Sequence, residues 1–300
     1  LSRYNIKNCL RSSRAPLIEH TLGTKKACKW ANIGSIPKTN SGDILSTLEK
    51  IDGLPKIKNI DDKYIPEWLK NEELYRDAVD EEIRLLQEIV DCAKQMSDRR
   101  ERSKAQFLTG LVTEQSHILA FDSIVITHYV IKKILRDLTD EKVTLAIATG
   151  SQSDSGKDEI QEYFHPSSES ESVIGLCTDA LSEGVNLQKS SAVVFLDMPT
   201  VIRKAEQRAG RVDRLDSPHE KIDIFWPGDH DVFKLEADQK FINRHDLVRT
   251  VIGSNISVPE EFYTNGTDKI APEEMTNLYE ERQKEDREWS GVDDAFKPVR

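Results

Sequence analysis

Three hundred residues, 37% hydrophobic and 32% charged, leave room for one large domain or two small ones around a modest core. No apolar run approaches the length of a bilayer span, and Leu1–Leu10 mixes polar and apolar residues, so neither a membrane protein nor a secretory leader is expected. The net charge of −11 argues against a nucleic-acid binder, but 12 acidic and only 6 basic residues lie in Pro259–Arg300, so global charge is a poor guide to local potential. Cys9, Cys28, Cys92 and Cys177 show no CxxC pairing and no His at ligand spacing. They read as free thiols of a reducing cytoplasm, and no metal site is expected. The chain does not begin with Met, and a piece of a longer protein is expected.

Leu1–Leu22 has helical spacing, broken by Arg11-Ser12-Ser13-Arg14-Ala15-Pro16. Lys29–Tyr64 is polar and carries Gly34, Pro37, Gly42, Gly53 and Pro55, as a linker or insertion does. Ile65–Met96 predicts one long helix with a single apolar stripe through Val79, Ile83, Leu86, Val90 and Ala93. Asp98–Lys104 reads as a solvated, charged helix start. Ala105–Val112 continues that helix with Phe107, Leu108, Leu111 and Val112 inward.

From His117 the pattern alternates. His117–Phe121, Val143–Ala148, Ser172–Cys177, Ala192–Leu196 and Lys221–Trp226 predict strands, and Ser123–Leu138 and Gly156–Phe164 predict helices between them. Short β-branched runs of this kind are buried on both faces, so the expected fold class is α/β with a parallel sheet covered by helices. Ligands of such sheets collect beyond the carboxyl ends of the strands. Thr149-Gly150, Thr178-Asp179 and Asp197 stand at those ends. A Thr hydroxyl, a Gly amide and a helix start near Lys157 can together hold a phosphate; a plain capped helix explains the same residues equally well.

Pro199 is expected to open a helix of about four turns that runs to Arg214. Gln207, Arg211 and Arg214, spaced four and three apart, would then share one face. Two guanidiniums side by side suit a polyanion, because each forms bidentate, charge-assisted bonds to phosphate oxygens. Arginines so placed stabilise phosphoryl-transfer transition states. An Arg-rich helix face is otherwise usually a solvated one. Asp229-His230-Asp231 after Pro227-Gly228 reads as a turn. Asp238–Ile252 and Glu273–Trp289 predict two further helices.

A phosphate-cradling loop is missing. The only Gly-Lys pair, Gly156-Lys157, precedes Asp158 where Ser or Thr is needed, and Gly150 lies one position too far upstream. Asp80-Glu81-Glu82 falls on a helix and not at a strand end, so it does not serve as a magnesium-binding box.

Two stretches, Thr178-Asp179-Ala180-Leu181-Ser182-Glu183-Gly184-Val185-Asn186-Leu187-Gln188 and Gln207-Arg208-Ala209-Gly210-Arg211-Val212-Asp213-Arg214, resemble motifs V and VI in the second lobe of superfamily-two helicases and translocases. The wording is nearest the Swi/Snf-like group and its bacterial, RapA-type branch. Thr149-Gly150 with Lys157 and Phe164 resembles that family's TG…R…F element, with Lys in place of the usual Arg. The Arg-Ser-Ser phrase is similar to one that follows the first lobe there. The resemblance implies a three-layer RecA-like (P-loop NTPase-type) helicase C-terminal lobe with helical flanks, placed at 106–235 between an N-terminal segment, 1–105, and an acidic helical extension, 236–300.

It further implies an ATP-dependent motor that moves on nucleic acid, with double-stranded DNA favoured. Arg211 and Arg214 would be the catalytic fingers. Glu183, Gly184, Asn186 and Gln207 would face the ATP, and Thr149, Gly150, Lys157 and Thr178 the nucleic acid. Arg208 would brace the lobe internally. ATP and magnesium would be held mainly by a first lobe of the same polypeptide, so this chain alone would be inactive. The acidic tail would be free for a protein partner, and the setting would be cytoplasmic, at the bacterial nucleoid. The alternatives are a non-catalytic scaffold derived from such a lobe, or part of an RNA helicase.

Overall fold

A computed structural model describes residues 3–37, 43–56, 62–150, 155–179, 186–199, 202–214, 217–229 and 231–233, together with Leu235, Asp238, Ile242, His245, Ile256, Val258 and Pro259. One compact unit runs from Leu1 to Val258. The second is 259–300, of which only Pro259 is among the described residues.

The first unit is built on five parallel strands: β1 (His117–Phe121), β2 (Val143–Ala148), β3 (Ser172–Cys177), β4 (Ala192–Phe195) and β5 (Asp223–Phe225). Their order across the sheet is β2-β3-β1-β4-β5. Phe121 is in register with Cys177 on one side and Phe195 on the other, and Cys177 with Ala148. All the strands therefore end along one edge. β1 and β4 are buried along their whole length, as strands covered on both faces must be. Helices α7 (Val125–Leu138), α8 (Ser155–Phe164) and α9 (Ile202–Ala209) connect the strands. At Gly175 an added Cβ would stand 2.9 Å from side-chain atoms of both Leu119 and Phe164, so the missing side chain lets those groups close over β3.

The fold class is thus the expected parallel α/β sheet. The first three strands have the predicted bounds, β4 stops one residue early, and β5 is shorter at both ends. The helical flank differs more. Residues Ile65–Met96 do not form one helix: a 3₁₀ turn spans Glu67–Leu69, and α5 then runs Glu72–Gln95. The break has a local cause, because the Asn71 side chain accepts from the N–H groups of Glu73 and Leu74 and starts the helix there. Within 29–64, helix α4 (Ile44–Leu48) is capped by Asp43 and buries Leu45.

Three N-terminal helices, α1 (Arg3–Ser12), α2 (Arg14–Leu22) and α3 (Thr24–Ala31), pack with α5 and α7 through Ala15, Leu17, Ile18, Ala27, Cys28, Ala93 and Ile126. Helix α6 (Arg99–Glu114) corrects two expectations. Its charged start is not a solvated run: Glu101 is 2% exposed and accepts from the backbone and side chain of Arg14. Phe107 is 44% exposed, although its ring meets the edge of Phe225 at 5.4 Å. Ion pairing pulled the charges inward, and α6 turned its Leu108–Leu111–Val112 side to the sheet.

No helix among the described residues is long and apolar enough to cross a membrane. No group of three or more His, Cys, Asp or Glu among them could hold a metal ion, and none of the four cysteines is in a disulfide. The predicted helix Glu273–Trp289 lies outside the described residues. Of Asp238–Ile252 only Asp238, Ile242 and His245 are described, and each is helical.

His117 starts β1 buried, with Nδ1 on Ser116 Oγ at 2.9 Å and Nε2 on Ser170 Oγ at 3.0 Å. Burial, and then the nearby Lys189 and His219, push its pKa down to about 4 from the usual 6.5. The unfolded chain therefore takes up this proton first, and stability falls with pH through the window from about 6.5 to about 4. Urea midpoints of His117→Asn should fall less between about pH 7 and about pH 5 than those of the parent chain; equal falls would show that His117 is not the group responsible.

Candidate functional site

Because the strands are parallel and in register, their following residues gather at one edge: Asp122 after β1, Thr149 after β2, Thr178 and Asp179 after β3, Asp197 after β4. Thr149 and Thr178 are buried, Thr178 N–H donates to Ala148 O at 3.0 Å, and Gly150 N–H donates to Thr178 Oγ1 at 3.3 Å. The structure thus brings together three of the four residues expected on the nucleic-acid side. The fourth, Lys157, stands half-buried in the first turn of α8.

The centre of the edge is Arg208, whose side chain is 2% exposed. Its Nε and Nη2 each lie 2.7 Å from Asp179 Oδ1, and its Nη1 lies 3.6 Å from Asp197 Oδ1. The guanidinium carbon sits 5.4 Å from the Phe121 ring centroid and 5.5 Å from that of Phe195. Lys204, one turn earlier on α9, reaches the other oxygen of Asp179 at 2.9 Å. Arg208 therefore ties α9 to the ends of β3 and β4 and rests on aromatic side chains from β1 and β4.

The carboxylates differ in kind. Burial opposes ionisation of Asp179, yet Arg208 and Lys204 overcome it and hold its pKa below the ordinary value. Burial raises that of Asp197, and the charge of Asp122 raises it further against the pull of Arg208. Asp197 Oδ2 accepts from both the N–H and the hydroxyl of Ser123. On the far side, Lys104 Nζ stands 3.6 Å from Asp122 Oδ2. Burial lowers the Lys104 pKa, and Asp122 and Asp197 oppose the shift.

The arginine helix is shorter than expected. Its regular part ends at Ala209, so Gln207 lies on α9 while Arg211 is in a turn and Arg214 lies beyond it. Gly210 explains the end: glycine weakens helices, and a Cβ there would come 3.0 Å from the Glu206 carbonyl oxygen. The chain tightens, with Val212 and Asp213 N–H groups both donating to Ala209 O. One helical face shared by Gln207, Arg211 and Arg214 is therefore corrected to a helix end plus a turn, anchored by Arg208. Gln207 and Arg211 are half-buried and Arg214 is exposed.

Glu183 and Gly184 lie outside the described residues. Asn186 is half-buried, and its Oδ1, shielded from solvent, has no hydrogen-bond partner among the described residues. Asp122 is not among the residues the sequence singles out, and Ser12 and Lys104 are singled out only within the Arg-Ser-Ser phrase and the Asp98–Lys104 charge run. The available signal was an Asp directly after a strand, and a pair of small hydroxyl residues breaking a helix.

Removing Arg208 takes the cation from beside Asp197 and leaves Asp179 with Lys204 alone. Arg208→Ala should cost the chain about 3 kcal/mol or more in urea unfolding; a loss under about 1 kcal/mol would mean that the pair does not anchor α9.

Residues 103–216 match the family model described as the helicase conserved C-terminal domain. No curated protein matches the chain. Among solved structures the chain is similar to the C-terminal part of the Fun30 ATPase domain, at 14% identity and a TM-score of 0.40 over 72% of this chain and 67% of that one. It is similar to Mss116p DEAD-box helicase domain 2 bound to an RNA duplex, at 14% and 0.41 over 55% and 62%. A third is the Escherichia coli DEAH/RHA helicase HrpB, at 16% and 0.35 over 43% and 18%. The chain thus spans less than two thirds of the length of the last two. The match to the helicase conserved C-terminal domain takes in β1 to β4, the Arg208 anchor and the turn with Arg211 and Arg214.

Proposed function

We propose that this chain supplies the second motor lobe of an ATP-dependent helicase or translocase of the Swi/Snf-like, RapA-type branch. The lobe occupies 106–235, with the segment 1–105 before it and the extension 236–300 after it. The observation that carries the reading is the buried Arg208 anchor, within the segment that matches the helicase C-terminal domain, next to a turn that presents two more arginines. A plain solvated Arg-rich helix has no use for a guanidinium held by two carboxylates at the strand ends.

In this reading Arg208 does no chemistry. It fixes the end of α9, so that Arg211 and Arg214 reach an anion brought by a first lobe. Their guanidiniums neutralise charge that builds on phosphate oxygens when the two lobes close. Gln207 and Asn186, whose Oδ1 has no hydrogen-bond partner among the described residues, take the nucleotide side of the same cleft, and the resemblance gives Glu183 and Gly184 the same role. Thr149, Gly150, Lys157 and Thr178 face the backbone of a nucleic acid, double-stranded DNA in preference. Bound ATP with magnesium supplies the phosphoryl group whose hydrolysis drives movement, and both are held mainly by the first lobe. The setting is cytoplasmic, and the acidic tail is available to a protein partner.

The test is nucleic-acid-stimulated ATP hydrolysis by the protein that joins this chain to a phosphate-binding lobe. Arg211→Ala and Arg214→Ala should each cut turnover by a factor on the order of 10³, with the fold intact by circular dichroism. Turnover retained in either variant would remove that residue from the finger role. Duplex DNA should stimulate more than duplex RNA, and the reverse order would replace the substrate assignment. This chain by itself should not hydrolyse ATP; robust hydrolysis would overturn the single-lobe reading.

A further inference from the structure

We infer that Ser12 is a positioning residue for the arginine turn: through Asp122, Ser123 and Asp197 its hydroxyl fixes the place of Arg208, and with it Arg211 and Arg214. The inference rests on the proposed function only for what the turn does.

The relay begins in the N-terminal helices. Ser12 is 1% exposed, and its hydroxyl donates to Asp122 Oδ1 at 2.7 Å. The peptide around it is held from several sides. Lys104 Nζ donates to the carbonyls of Arg11 and Ser12, at 2.9 and 2.8 Å. Arg11 is buried and pairs with Asp229 at 2.9 Å and Asp238 at 3.0 Å, while Arg100 grips Asp229 from the other side at 2.7 Å. Ser13 Oγ meets Thr127 Oγ1 at 2.9 Å. Ser12 therefore cannot follow Asp122 if Asp122 moves.

Asp122 has no exposed surface, so it depends on the donors around it. Its Oδ1 receives the Ser12 hydroxyl and the Ile124 N–H, and its Oδ2 faces Lys104 with no hydrogen bond among the described residues. Without the hydroxyl, the carboxylate gains by turning towards the lysine. Ser123 follows it in the chain and supplies two of the donors on Asp197. Asp197 Oδ1 and Arg208 Nη1 face each other at 3.6 Å, and neither has a hydrogen-bond partner among the described residues. That contact has room to tighten or open, so a small shift of Ser123 is read out at Arg208. The position of residues 3–22 is carried in this way to a turn some two hundred residues later.

A purely structural network would loosen the whole sheet when cut, whereas a relay loosens its far end. Hydrogen–deuterium exchange of the full chain separates the two. Ser12→Ala should speed exchange in 202–214 about tenfold relative to β2. Ser13→Ala removes an equally buried neighbouring hydroxyl without touching Asp122, and should leave that ratio unchanged. An unchanged ratio in Ser12→Ala, or the same change in both variants, would overturn the inference. If Ser12→Ala does not fold, Ser12→Cys keeps the volume with a weaker donor and is read the same way. In the two-lobe protein, Ser12→Ala should lower kcat for ATP about tenfold with KM unchanged. Absence of turnover in the parent protein would count against the proposed function, and the exchange ratio would still decide the relay.

Discussion

A guanidinium taken out of water at the carboxyl end of a sheet is the constraint on which the site depends. Moving a full charge into a protein interior costs several kcal/mol even after relaxation. Arg208 meets that cost with two nitrogens on one oxygen of Asp179, a looser approach to Asp197, and the faces of Phe121 and Phe195 beneath it. These partners follow three neighbouring strands or lie on them. The pairing is therefore possible only when β3, β1 and β4 are aligned side by side. Sheet register and the position of α9 are both needed for this one contact.

The same edge shows how an acidic chain can gather cations in one place. Its carboxylates do not face outward as a repelling field. Asp122, Asp179 and Asp197 are taken up by Lys104, Lys204 and Arg208, so the negative charge turns inward and the cations organise it. In the turn after Ala209, Arg214 is exposed and Arg211 half-buried. A net charge of −11 describes the whole molecule, with its acidic tail, and not this edge.

The strands were legible because burial on both faces demands unbroken β-branched and aliphatic runs, and His117–Phe121, Val143–Ala148 and Ser172–Cys177 are such runs. The elements that misled were decided by partners far away in sequence. Asp98–Lys104 has the composition of a solvated helix start, yet Glu101 and Lys104 are claimed by residues 11–14. Helical spacing put Arg211 and Arg214 on one face with Gln207, but Gly210 ends the regular helix before them. At the site, Arg208 could be read as a brace from its place in the motif. Asp122 could not, because an Asp after a strand looks like any turn residue until Ser12 and Lys104 are brought to it. Glu183 and Gly184 lie outside the described residues.

The most direct measurement of the anchor is a double-mutant cycle in urea unfolding, with Arg208→Ala, Asp179→Ala and the two together. Charged partners in one buried network couple, and the double variant should cost about 1–3 kcal/mol less than the two single losses combined. Additivity to within about 0.5 kcal/mol would contradict the account, since α9 would then be held in place by something other than this pair.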